Sequence, residues 1–240
     1  MGRRTARIRR IKRSFGRFDR PVTMTWGRAE KSLAYLTAEL GPWHPDTVSA
    51  RRTLQTWLMN SGDTAGAVRM AQEEVDARTA EFGPEHADTV AARLTLARRR
   101  RAAGDMAGAI TEARLLVEDL TRTHGHDHEE THVARRILAE YLCESGDAAE
   151  GIRRLTALYT ESRALGPERL KATQLLRTTL IMALERNGDH EKALALLDEA
   201  IAEGRGTADS RDDNGESADA ARQLLQDWRA RLVRQAGGAR

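Results

Sequence analysis

The sequence predicts an all-α fold made of stacked, antiparallel helical hairpins, and three observations predict it. The dipeptide Gly-Asp recurs at Gly62-Asp63, Gly104-Asp105, Gly146-Asp147 and Gly188-Asp189, at a constant step of 42 residues. Leu54, Leu96, Leu138 and Leu180 keep the same step, as do Arg51, Arg93, Arg135 and Arg177. A small residue, Ala67, Ala109, Gly151 or Ala193, follows four residues after each Gly-Asp. Self-similarity at one fixed period marks a repeat architecture, in which a unit that cannot bury its own apolar face stacks on its neighbours.

Each unit reads alike. A turn, LGPWHPDT (40–47) or FGPEHADT (82–89), leads into about 14 helical residues that stop at Gly-Asp. A longer second helix follows, with Ile110, Ala113, Leu116, Val117 and Leu120 at helical spacing in one case. Asp46, Asp88 and Glu130 fall where an N-cap or first-turn acid belongs, and the Gly of each Gly-Asp falls where a helix ends in a left-handed residue.

Composition agrees with this reading. Hydrophobic residues are 40%, charged residues 31%, and only five prolines occur, which suits a helix-rich chain. The single cysteine, Cys143, excludes an internal disulfide and a thiolate metal cluster. No apolar run approaches the roughly 20 residues of a membrane span. The basic N-terminus lacks the apolar stretch of a secretion signal, so a cytoplasmic location is expected. Arginine outnumbers lysine 35 to 4, which points to a GC-rich bacterial genome.

Charge is unevenly placed. Residues 1–20 carry a net charge of +8, and the remaining 220 carry −5. Residues 1–21 are therefore read as a basic tail, in which Ile8, Ile11, Phe15 and Phe18 would form one apolar helical stripe among arginines. Three readings stand for it: docking on the first helix as a cap, binding anionic lipid, or folding on a partner or nucleic acid. Residues 204–217, GRGTADSRDDNGES, read as a flexible linker. Beyond them, 218–240 holds an amphipathic stripe of Ala221, Leu224, Leu225, Trp228 and Leu232. That segment is read as a capping helix, with groove occupancy or self-association as the alternative.

One stretch suggests an enzyme. Residues 124–132, HGHDHEETH, contain a literal H-E-x-x-H, the zinc-protease pattern. The repeat overrides it: His128 continues the series His44, His86, His128, and the helix is expected to begin near Glu130. The two histidines would then not share a helical face. His124, His126, His128 and His132 remain as surface imidazoles able to collect Zn²⁺ or Ni²⁺, with solvated loop histidines as the bland reading. No catalytic residue, cofactor or dedicated metal site is assigned.

The 42-residue unit resembles the tetratricopeptide repeat of the kinesin light chain type. The resemblance rests on the Leu-Gly-Pro-x-His-Pro-Asp-Thr turn, on Ala50-Arg51, Ala92-Arg93 and Ala134-Arg135, on the Gly-Asp stops and on the small residue after them. It covers 40–203 as four units, with an incomplete unit before them, so the repeat domain spans 22–203. The resemblance implies a right-handed α-solenoid whose first helices line a concave groove. It also implies a scaffold that binds a peptide or helix of another protein. The family often carries Asn-Asn after the Ala-Arg pair; here Arg52-Thr53, Leu94-Thr95, Arg136-Ile137 and Thr178-Thr179 stand instead.

On the family's geometry the groove residues would be Arg52, Thr56, Met59, Arg98, Arg101, Arg136, Glu140 and Thr178. Four of them are arginines, whose planar fork suits carboxylates, so an acidic partner segment is expected. The run Arg98–Arg101 has two readings, a solvated helix end or an anion site. Arg100 replaces a core leucine and must pair or snorkel. The repeated Arg51, Arg93, Arg135 and Arg177 are expected to be structural and to join neighbouring units. The fourth turn, LGPERLKAT (165–173), lacks His and Pro-Asp, so its geometry should differ.

Overall fold

The computed structural model describes residues 26–204 and 218–238. The basic tail and residues 205–217 lie outside the described residues. The described residues form ten α-helices and no strand: α1 (Trp26–Leu40), α2 (Pro45–Asn60), α3 (Thr64–Phe82), α4 (Ala87–Ala102), α5 (Met106–His124), α6 (Glu129–Ser145), α7 (Ala148–Ala164), α8 (Leu170–Arg186), α9 (His190–Gly204) and α10 (Ala218–Gly238). A short 3₁₀ turn, Pro167–Arg169, precedes α8. None of the helices among the described residues is long and apolar enough to cross a membrane. The chain divides into two compact units at Ala109/Ile110, inside α5.

In the first unit α1 packs on α2, α2 on α3 and α3 on α4. In the second, α6 packs on α7, α7 on α8, α8 on α9 and α9 on α10, and α6 also touches α8. The repeat leucines are the buried ones: Leu54 and Leu96 are fully enclosed, and Leu138 and Leu180 nearly so. Ala67, Ala109 and Ala193 are likewise fully buried, where a larger side chain would hold the two helices of a hairpin apart.

The helix boundaries show how the turns work. Each Gly-Asp glycine has positive φ, from 80° at Gly188 to 102° at Gly146, a conformation that a β-carbon disfavours. The aspartate then opens the next helix: Asp63 accepts from Gly66 N–H and Asp105 from Gly108 N–H, each at 2.8 Å. In these two turns one dipeptide thus ends one helix and caps the next, whereas Asp147 makes no side-chain capping bond.

The first helices are capped by histidine. His44, His86 and His128 occupy the N-cap, and their Nδ1 atoms accept from the N–H of Asp46, Asp88 and Glu130 at 3.2, 3.1 and 3.3 Å. The acids lie in the first turn, where they favour the positive end of the helix dipole. The fourth turn differs as expected: Arg169 is the N-cap of α8 and makes no side-chain capping bond.

The repeated arginine holds helices together. Arg135 makes a two-pronged bond to Glu161, at 2.7 and 3.2 Å, and Arg177 pairs with Glu203. Both partners lie on the second helix of the same hairpin, so these ion pairs tie a repeat together internally, while Arg177 also shares a hydrogen bond with Tyr159 on the second helix of the preceding repeat. Arg51 holds its own turn, donating to the Pro42 carbonyl at 3.5 Å and lying over the Trp43 ring.

The C-terminal helix α10 packs on α9. Leu232 is fully buried among Leu180, Leu184 and Leu197, with Leu225 and Trp228 partly buried beside them. The Trp228 indole donates to Glu185 at 3.0 Å, and Arg229 pairs with Asp198. Leu224, by contrast, is 66% exposed on the outer side.

Candidate partner-binding face

Residues Arg52, Thr56 and Met59 lie on α2, and Arg98 and Arg101 on α4, the first helices of successive repeats in the first unit. Arg52, Thr56, Arg98 and Arg101 are exposed and Met59 is half-buried. A hydrogen bond joins the two helices on this face: the Arg99 guanidinium donates from Nη2 to Thr56 Oγ1 at 3.3 Å. The Arg99 Nε is enclosed without an acceptor among the described residues. Burial lowers the pKa of this guanidinium by disfavouring its charged form. Arginine stays protonated regardless, so the structure holds a partly desolvated positive charge with no carboxylate on it among the described residues.

Arg100 answers the question its position raised. It pairs sideways, donating to Gln72 Oε1 at 3.1 Å and lying 3.9 Å from Asp105, and stays half-buried. Arg99, which the sequence pattern does not single out, is the functional-looking member of the run. One period away its place is held by Trp57 and by the buried Tyr141, and that substitution of a cation for an aromatic ring was the available signal.

The second unit presents a different face. Arg136 and Glu140 pair with each other one turn apart on α6. Thr178 is exposed on α8 and donates to the Gln174 carbonyl at 3.0 Å. A pocket of about 180 Å³ lies between α6 and α8, bounded by Glu140, Cys143, Glu144, Met182 and Arg186. Burial, with Glu140 next in weight, raises the pKa of the Cys143 thiol, so it is not an activated nucleophile.

The histidine-rich turn is sorted by the fold. His128 is exposed and outside the helix, whereas His132 is buried in the first turn of α6, its Nε2 enclosed without a partner among the described residues. His126 lies 3.1 Å from an Arg135 nitrogen and 3.9 Å from Glu161. The H-E-x-x-H pattern therefore does not aim two imidazoles outward together.

His132 is expected to make the second unit acid-sensitive. Its pKa is lowered from 6.5, first by burial and then by Arg169 and Arg135, against smaller opposing effects of Glu161 and Asp127. A lowered histidine pKa means the unfolded chain takes up the proton first, so stability is full above 6.5 and falls as pH drops below it toward the folded-state value. Glu161, held below 4.5 chiefly by its bond from Arg135, adds a second loss below that pH. Urea melts from pH 7.5 to 5 should show the first decline in wild type and a flatter profile in His132→Gln. Equal slopes would clear His132 of this role.

No protein-family profile matches this chain, and no curated protein matches its sequence. Solved structures do. A Podosopora anserina kinesin light chain protein of nearly identical TPR-like repeats superposes with a TM-score of 0.64 at 21% identity, over 82% of this chain and 90% of that one. A single-substitution variant of that protein gives 0.61 at 18% identity, over 87% and 97%. At these identities the likeness establishes the fold, an α-solenoid of TPR-like helical hairpins.

Proposed function

We propose that this protein is a non-catalytic scaffold that grips an acidic peptide or helix of another protein on the first-helix face of its repeats. The reading rests on Arg99, a partly buried guanidinium with no carboxylate among the described residues. Exposed Arg52 and Arg98 lie on the same two helices and likewise have no acidic partner among the described residues. A charge left half-desolvated and unpaired is costly on its own and is stabilised when a partner carboxylate arrives. The forked donors favour carboxylates, and the missing Asn-Asn pairs remove the usual sequence-tolerant grip on a peptide backbone. Met59 and Arg101 lie on the same two helices as the grip, whereas Arg136, neutralised by Glu140, and Thr178 belong to the second unit and are not part of it.

Fluorescence anisotropy with a panel of labelled Asp/Glu-rich, neutral and Lys-rich peptides of about a dozen residues tests this. Wild type should prefer the acidic members, with binding that weakens as salt rises. A variant with Arg52, Arg98 and Arg99 all changed to Ala should bind them roughly 100-fold more weakly, at about 1 kcal/mol per lost charge-assisted bond. Folding should be almost unaffected, because no described ion pair is broken. Equal affinity for all peptides, or an unchanged triple variant, would sink the proposal.

A further inference from the structure

We propose that His124, His128 and Glu130 form a surface site for a borderline divalent transition cation such as Zn²⁺, Ni²⁺ or Cu²⁺. Their candidate donor atoms all lie within 4.8 Å of one another, across the turn that joins α5 to α6. The two imidazoles are stacked, with ring centroids 4.6 Å apart and planes 25° apart. Two donors on one tetrahedral zinc lie about 3.3 Å apart, so closing the site needs only side-chain adjustments on an exposed turn. Two imidazoles with one carboxylate are a donor set for these metals and a poor one for Ca²⁺ or Mg²⁺.

Hydrogen bonding prepares His124. The Thr123 hydroxyl donates to the Asp119 carbonyl at 2.9 Å, so its oxygen accepts from His124 Nδ1–H at 3.0 Å. That fixes the tautomer with a free lone pair on Nε2. His128 must change: its Nδ1 accepts the capping bond from Glu130 N–H. Ligation through Nε2 moves the ring proton to Nδ1 and exchanges that bond for a metal bond. The cation would thereby clamp the end of α5 to the start of α6.

The preceding repeat supplies the control. Phe82 stacks on His86 with centroids 4.8 Å apart, so the ring pair is a feature of the turn, and of these two stacks only the second has two metal-binding members. His124→Phe should rebuild the earlier stack without the ligand. His128→Asn keeps a good N-cap and also loses the ligand.

The test is isothermal titration of the untagged full chain with ZnCl₂ at pH 7.4, with melting temperature read in parallel. Wild type should bind one equivalent with Kd on the order of 1 μM and melt higher with zinc. His124→Phe and His128→Asn should each fold, bind at least about tenfold more weakly and lose the zinc-dependent shift. His132→Gln should bind like wild type. Absence of saturable binding below about 100 μM, or wild-type affinity in His124→Phe, overturns the site.

Discussion

Gly151→Ala should destabilise the second unit by about 3 kcal/mol, at the upper end of what one added methyl does in a packed core. A β-carbon on Gly151 would lie 2.7 Å from the Ala139 carbonyl oxygen, 2.7 Å from the Cys143 nitrogen and 2.4 Å from its sulfur. The sulfur can swing away, but the backbone of α6 cannot without lifting α7 from it. The equivalent Ala67, Ala109 and Ala193 are accommodated, so the effect belongs to this hairpin's close approach and not to the repeat position. Denaturant melts of Gly151→Ala and of Gly151→Ala with Cys143→Ala measure it. The double variant should recover only part of the loss, and an unperturbed single variant would show that α6 and α7 are not in such close contact.

Leu232→Ala should cost about 3 kcal/mol, the usual effect of opening a cavity at a fully enclosed leucine. It should also loosen the last hairpin specifically. With α10 detached, amide exchange in α9 should accelerate, while α2 to α4 exchange as before. Unchanged exchange in α9 would mean that α10 does not rest where it packs in this structure, and would revive groove occupancy or self-association for this segment.

The repeat was fully legible because its signals are local: a glycine that must turn, a small residue that must fit, a leucine that must be buried. These recur every 42 residues, and the helices follow them closely. The histidine caps were not legible, because imidazole is an uncommon capping acceptor and the neighbouring acid is the more familiar candidate. The partner of Arg135 was readable in principle. Glu161 and Glu203 are themselves one repeat apart, matching Arg135 and Arg177.

The candidate site was legible as a surface and not as a grip. Four consecutive arginines point about 100° apart around a helix, so the neighbouring helix decides which is desolvated. Sequence pattern favoured Arg98 and Arg101 for the groove and marked Arg100 as the anomaly. Packing gave Arg100 the Gln72 and Asp105 partners and left Arg99 against Thr56. The Arg136–Glu140 pair, by contrast, was readable from its i,i+4 spacing on a predicted helix.

The most direct measurement is the side-chain Nε–Hε spectrum of ¹⁵N-arginine-labelled protein during titration with the best acidic peptide, the signals assigned by single Arg→Lys variants. If the first-helix face of the first unit holds the partner, the Arg52, Arg98 and Arg99 signals shift together and saturate at one peptide equivalent, with Arg99 moving most. Saturating shifts confined to arginines elsewhere, with these three unmoved, would contradict it.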